Sequence, residues 1–304
     1  MNSFQPLGVL ATPLAPVTAV MAAYLVCHPP RRGRGKQPAE FGLTPVELWI
    51  PAKPTGKRLH AWLFDGDPNR VVVVGHGIGL EKSRSLPYAR FLNEAGYTVL
   101  LFDFRNHGRS FTDRGLTKFS KRFADDLIAV VRHVQAMPAH ADARFALYGF
   151  SMSSFAVVHA LGRLEKVDAL VCDSGPARDP DLTIRNLLRS DMVPMPSAIR
   201  HAPARNVFEA VFRPLASAST STPPNWPPAP TSRGYDTVPM LFLIGDEDTV
   251  VTAAELRDLA APYPHAEVVV VPGAGHLRPI AVDPERYTKT VLDFLGKAFL
   301  VGEP

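Results

Sequence analysis

Three stretches of this 304-residue chain carry the residue types that nucleophilic acyl chemistry needs. The first is Tyr148-Gly149-Phe150-Ser151-Met152-Ser153-Ser154, in which Ser151 has small residues two places before and two places after it. The second is Gly273-Ala274-Gly275-His276, where two glycines give the backbone freedom beside an imidazole. The third is the acidic run Gly245-Asp246-Glu247-Asp248-Thr249-Val250-Val251. A serine hydroxyl attacks a carbonyl only when a base removes its proton, and a histidine base works best when a carboxylate fixes its tautomer. Asp246, Asp248 and Asp173 are the carboxylates open to that role. A fourth stretch, Gly75-His76-Gly77-Ile78-Gly79, is a glycine-rich turn that exposes backbone N–H groups.

The elements around these stretches have a consistent period. Residues 46–50 and 59–64 read as two early strands, paired antiparallel. Residues 71–74 are four valines in a row, as expected of a parallel strand buried on both faces. Further strands are expected at 97–104, 144–150, 167–172, 238–244 and 267–271, and helices at 85–95, 121–137, 153–164, 253–261 and 286–299. This alternation implies right-handed crossovers and a mostly parallel sheet. Ser151 then ends a strand and opens a helix, and the glycine-rich turn, the acidic run and His276 each follow a strand.

The alternation breaks between Gly175 and Tyr235. Helices are expected at 182–189 and 204–212, and 215–232 reads as extended coil with five prolines. An insertion here hangs over the carboxyl ends of the strands, so 176–235 is read as a lid, with 41–175 and 236–304 as the core. Its apolar residues Leu187, Leu188, Phe208 and Phe212 are expected to contact substrate.

These motifs resemble those of the α/β-hydrolase superfamily over about residues 41–299. The serine segment resembles its G-x-S-x-G elbow, with Ser153 in place of the second glycine. Residues 75–79 resemble its H-G-x-G turn, and Gly245, Asp248 and Val251 fit its G-x-x-D-x-x-V. The order Ser…Asp…His is also the family's. The resemblance implies an α/β-hydrolase fold: a mostly parallel eight-stranded sheet flanked by helices, with a lid insertion. It implies Ser151 as nucleophile, His276 as base and Asp248 as acid. The Ile78 and Met152 N–H groups would form an oxyanion hole. Asp103 and Arg105, in a D-x-R-x-x-G-x-S segment, and His76 are expected to brace loops. Residues 28–32 and the apolar arm before them are similar to the N-terminal region of Bem46-like hydrolases.

Bulk composition narrows the rest. With 33 basic and 29 acidic residues and no basic stripe interleaved with aromatics, nucleic acid is not an expected partner. Two cysteines make no disulfide framework, which points to a reducing, cytoplasmic setting. No zinc, Walker or dinucleotide motif occurs, so neither metal nor cofactor is expected. Residues 7–27 carry no charge and are followed by a basic linker in which residues 31–36 hold Arg31, Arg32, Arg34 and Lys36. The stretch is long enough for a bilayer, but its Ala/Thr content, Pro13 and Pro16 suit a spanning helix poorly. Residues 1–40 are read as an arm packed on the domain or on a second copy, with membrane association as the alternative.

The function expected is a serine hydrolase acting on an ester or thioester of a small to medium apolar molecule. Two rivals stand beside it: a lyase or acyltransferase on the same fold, and a binding protein without turnover.

Overall fold

The computed structural model describes residues 9–31, 35–190, 193 and 195–300. Residues 1–8 and Arg32, Gly33 and Arg34 of the linker lie outside that range. The strands are β1 (Val46–Ala52), β2 (Lys57–Phe64), β3 (Asp67–Val74), β4 (Tyr97–Phe102), β5 (Arg144–Phe150), β6 (Ala169–Asp173), β7 (Met240–Gly245) and β8 (Ala266–Val271). The helices are α1 (Ala15–Cys27), α2 (Leu86–Glu94), α3 (Phe119–Gln135), α4 (Met152–Leu161), α5 (Pro180–Arg189), α6 (Ala204–Thr220), α7 (Ala253–Ala260), α8 (Pro279–Val282) and α9 (Pro284–Leu300).

One eight-stranded sheet runs β1-β2-β4-β3-β5-β6-β7-β8. β1 pairs antiparallel with β2, and β2 with β4; the remaining pairs are parallel. The four valines of β3 are buried, and β3 lies between β4 and β5. The connection leaving β3 runs to β4 on one side and that leaving β5 runs to β6 on the other, which opens a crevice at the carboxyl ends of β3 and β5. The Gly75–Gly79 turn and Ser151 are brought side by side there.

Two apolar layers cover the sheet. α3, α4 and α7 pack on one face through residues such as Phe123, Val130, Val157 and Leu256. α2 and α9 pack on the other through Leu86, Leu92, Val291 and Leu295. Burial of a large apolar side chain contributes roughly 1.5–3 kcal/mol, so these layers supply most of the drive to fold.

The insertion departs from the sequence expectation. α6 does not stop at Phe212 but runs through Pro214 to Thr220. Phe208, Phe212 and Ala216, four residues apart, are all buried against α1, and this packing outweighs the backbone bond lost at the proline. α5 begins two residues before the expected start at 182: Asp179 accepts from the Asp181 and Leu182 N–H groups, and Pro180 takes the first helical position. Beyond Ser221 the proline-rich stretch is irregular. It is held by Trp226, which stacks on Phe155 at 3.9 Å and donates from Nε1 to the Ala177 carbonyl.

The arm is helical from Val9, with a 3₁₀ turn at Thr12–Leu14. Ala11, Ala15, Ala19 and Ala23 form a strip of small side chains that lets α1 approach α6 closely. The arm therefore lies on the insertion.

Candidate active site

β5 turns directly into α4 at Ser151, whose backbone sits at φ 50°, ψ −111°. A non-glycine residue rarely holds a positive φ, and the surroundings here enforce it. The Ser151 N–H donates to the Asp173 carbonyl at 2.9 Å. Gly149 has to be glycine, because a Cβ there would lie 2.5 Å from the Ser153 carbonyl oxygen. Ser153 takes the place of a second glycine with a function of its own: its Oγ accepts the Phe150 N–H at 2.7 Å. The helix also passes close to the neighbouring turn, since a Cβ on Gly75 would come within 2.7 Å of the Ser153 Cβ.

His276 follows β8 and reaches back over the sheet. Its Nε2 is 3.0 Å from Ser151 Oγ and its Nδ1 is 2.8 Å from Asp248 Oδ2. The carboxylate can only accept, so the proton resides on Nδ1 and Nε2 is free to accept from the serine hydroxyl. Asp248 is buried, and its other oxygen accepts the Val250 and Val251 N–H groups at 2.9 and 3.0 Å. Asp246 accepts the Gly273 N–H at 2.7 Å and ties the acid's loop to the histidine's loop.

Asp173 is not bonded to His276. It is fully buried, accepting from the Tyr287 hydroxyl at 2.7 Å and the Ser174 hydroxyl at 2.7 Å. Tyr287 in turn shares a hydrogen bond with Tyr148. Burial raises the Asp173 carboxyl to about 6, against the lowering effect of the Tyr287 and Ser174 hydrogen bonds. Ser174 Oγ accepts the Leu277 N–H at 2.9 Å, so this network holds the residue next to His276.

The turn after β3 is braced from below. Burial pushes His107 down to about 3, which keeps it neutral. Its Nε2 accepts the Gly79 N–H at 3.1 Å and its Nδ1 faces the Arg105 carbonyl at 2.8 Å. His76 plays the same part between Gly77 and Phe104. Asp103 accepts from both the backbone N–H and the Nζ of Lys82, at 2.8 and 2.6 Å, and Arg105 pairs with Asp126 and Asp113. The Met152 N–H, at the first turn of α4, lies where no intrahelical acceptor exists. Ile78 and Met152 both face the same cavity as Ser151 and His276.

That cavity encloses about 190 Å³ and is overwhelmingly apolar. Phe119, Phe123, Phe155, Ile184, Leu187 and Val251 contribute to its wall. A larger cleft of about 460 Å³ lies on the far side of the Gly79 turn, among Arg31, Lys36, Arg84 and His107, and Ser151 does not reach it. Of the four residues expected to meet substrate, Leu187 lines the cavity. Leu188, Phe208 and Phe212 do not: they are buried in the seam between insertion and arm, facing the alanine strip of α1. Val26 and Cys27, at the end of α1, line the cavity and were not anticipated. No period in the sequence marks them, because every position of the arm around them is uncharged.

The profile of the alpha/beta hydrolase family matches residues 71–290. The chain belongs to that family. No curated protein matches the sequence. Among solved structures, the Pyrococcus furiosus esterase Pf2001 superposes on this alpha/beta hydrolase with a TM-score of 0.71 at 24% identity, covering 90% of this chain and 97% of that one. A thermophilic esterase from Thermogutta terrifontis gives 0.58 at 22% identity, over 84% and 99% of the two chains. The 2-hydroxy-6-oxo-6-phenylhexa-2,4-dienoate hydrolase of a Rhodococcus strain gives 0.60 at 16%, over 84% and 99%. These likenesses are of fold: the eight-stranded, mostly parallel sheet flanked by helices is common ground with an esterase and with a hydrolase of a different substrate.

Proposed function

We propose that this alpha/beta hydrolase is a serine esterase for carboxylic esters or thioesters with a small to medium apolar acyl group. The observation that carries the reading is the unbroken hydrogen-bonded run Ser151–His276–Asp248 at the floor of an apolar cavity. Ser151 Oγ attacks the acyl carbon while its proton passes to His276 Nε2. Asp248 stabilises the imidazolium that results. The Ile78 and Met152 N–H groups receive the oxyanion, each such donor being worth about 10²–10³ in rate. His276 returns the proton to the departing alkoxide or thiolate, which leaves an acyl group on Ser151. Water then attacks that ester, gives its proton to His276, and the acid is released as Ser151 recovers the proton. The segment 176–235 acts as a lid, with Ile184 and Leu187 over the acyl chain. The arm before residues 28–32 is the feature that aligns the chain with Bem46-like members of the family.

The test is a series of p-nitrophenyl esters and acyl thioesters, read for acid release in ¹⁸O-water. Wild type should turn over and place one ¹⁸O in the acid, and Ser151→Ala should lose at least about 10³-fold in kcat. Full activity in Ser151→Ala, or acid formed without solvent ¹⁸O, would overturn the reading.

A further inference from the structure

α1 is built the opposite way from an ordinary surface helix. Its small residues face inward and its large apolar residues face out. Leu10 is 77% exposed, Leu14 64%, Val17 69% and Met21 56%. Eight of the fourteen large apolar side chains exposed among the described residues fall between Val9 and Leu25. Such clustering on one helix is not the scatter that any soluble surface shows. The run Val9–Cys27 is 19 residues long, with a mean hydropathy of 1.8.

Charge says what should cover this face. The first 39 residues hold Arg31, Arg32, Arg34 and Lys36 and no acidic side chain. A second copy docked on this face would bring no counter-charge from its own arm, which has no acidic side chain. An anionic lipid surface attracts the basic segment, and adds to the burial of the apolar row. The helix is also fixed in place at its far end. Asn106 Nδ2 donates to the Cys27 carbonyl at 2.9 Å, and Arg31 donates to the Ser110 carbonyl at 2.6 Å. Leaving the insertion to cross a bilayer would uncover Phe208 and Phe212. Lying flat costs neither.

We propose that the outer row Leu10, Leu14, Val17, Met21 and Leu25 docks the helical run Val9–Cys27, of which α1 is the main part, flat on an anionic lipid surface. Val26 and Cys27 of the same helix line the cavity over Ser151. Docking therefore puts the wall of the acyl site against the bilayer, and the substrate class becomes single-chain acyl esters drawn from it. The substrate half of this proposal rests on the esterase reading; the docking half does not.

The experiment floats the full-length protein with vesicles of phosphatidylcholine and phosphatidylglycerol at 7:3, and with phosphatidylcholine alone. It is repeated with the triple variant Leu14→Glu, Val17→Glu, Met21→Glu, all exposed positions outside the cavity. Wild type should float with the anionic vesicles and at least ten-fold less with the neutral ones. The variant should float at least ten-fold less than wild type. It should lose a similar factor on a monoacylglycerol held in those vesicles, yet hydrolyse dissolved p-nitrophenyl butyrate within two-fold of wild type. Equal flotation of variant and wild type would overturn the docking. So would a wild-type dimer that the variant converts to monomer, or resistance of the bound protein to alkaline carbonate extraction, which would mark a spanning helix. Flotation without hydrolysis of either ester would leave the docking standing and remove the esterase reading.

Discussion

The cavity has a floor and a roof, and they are made by different means. The floor is Ser151, His276 and Asp248 on loops at the ends of β5, β8 and β7, where nearly every polar atom has a fixed partner and the backbone is forced into a positive φ. The roof is the end of α1, α5 and the end of α6, where side chains meet largely through apolar packing and the outer face of α1 stays exposed. Hydrogen bonds fix direction, as the proposed proton transfer between Ser151 and His276 requires. Apolar packing fixes only volume, and on the proposed esterase reading leaves room for choice among acyl chains. Changes to the floor should therefore cost rate, and changes to the roof should alter selectivity or stability.

The sharpest break between the two is expected within the floor itself. Asp248→Asn should lower kcat by about 10²–10⁴-fold, because the amide would favour the wrong tautomer of His276. Asp173→Asn, whose side chain hydrogen-bonds Tyr287 and Ser174 and not His276, should cost less than about ten-fold. Steady-state kinetics on one soluble ester decides the order, and the reverse order would move the acid to β6. In the roof, Phe212→Ala should destabilise the fold by about 3–5 kcal/mol in denaturant unfolding while leaving the acyl-chain preference unchanged. A changed chain preference at unchanged stability would return Phe212 to the substrate site.

The raised carboxyl of Asp173 gives a pH signature. The folded protein keeps that proton up to about pH 6, whereas an unfolded chain releases it near 3.8. Between those values the unfolded state binds fewer protons, so the contribution is favourable below pH 4 and is lost as pH rises through 6. It amounts to roughly 3 kcal/mol. Unfolding curves of wild type and Asp173→Asn at pH 4 and pH 7 should show wild type losing ground to the variant by about that much. A constant difference would mean that Asp173 ionises freely in the fold. A selective effect is expected at Leu187→Trp, which should lower kcat/KM for an octanoyl ester by up to about ten-fold and leave an acetyl ester nearly unaffected. Equal loss on both would show that Leu187 supports the floor.

Most of the floor was legible in the sequence because its parts are local. A strained turn needs Gly149 two residues before Ser151, and the loop that brings His276 over the sheet carries Gly273 and Gly275, so the motifs show in short stretches whose order resembles the family's. The bracing role of His107 was not legible, since its bond to the Gly79 N–H joins two loops 28 residues apart. The roof was read poorly. Phe208 and Phe212 have the composition of pocket residues, but their fate depends on where α1 lies, and an uncharged arm of alanine, valine and leucine has no polar face to announce its orientation. The same gap hid Val26 and Cys27. The end of α6 was missed because Pro214 is a local stop signal that tertiary packing overrode.

The central claim is that Ser151 is a nucleophile activated by His276. Labelling the full-length protein with a fluorophosphonate and locating the adduct by peptide mass spectrometry tests it most directly. A single phosphonate on Ser151, formed at least about 10²-fold more slowly in His276→Ala, is the predicted result; an unlabelled protein, or an adduct on any other residue, would contradict it.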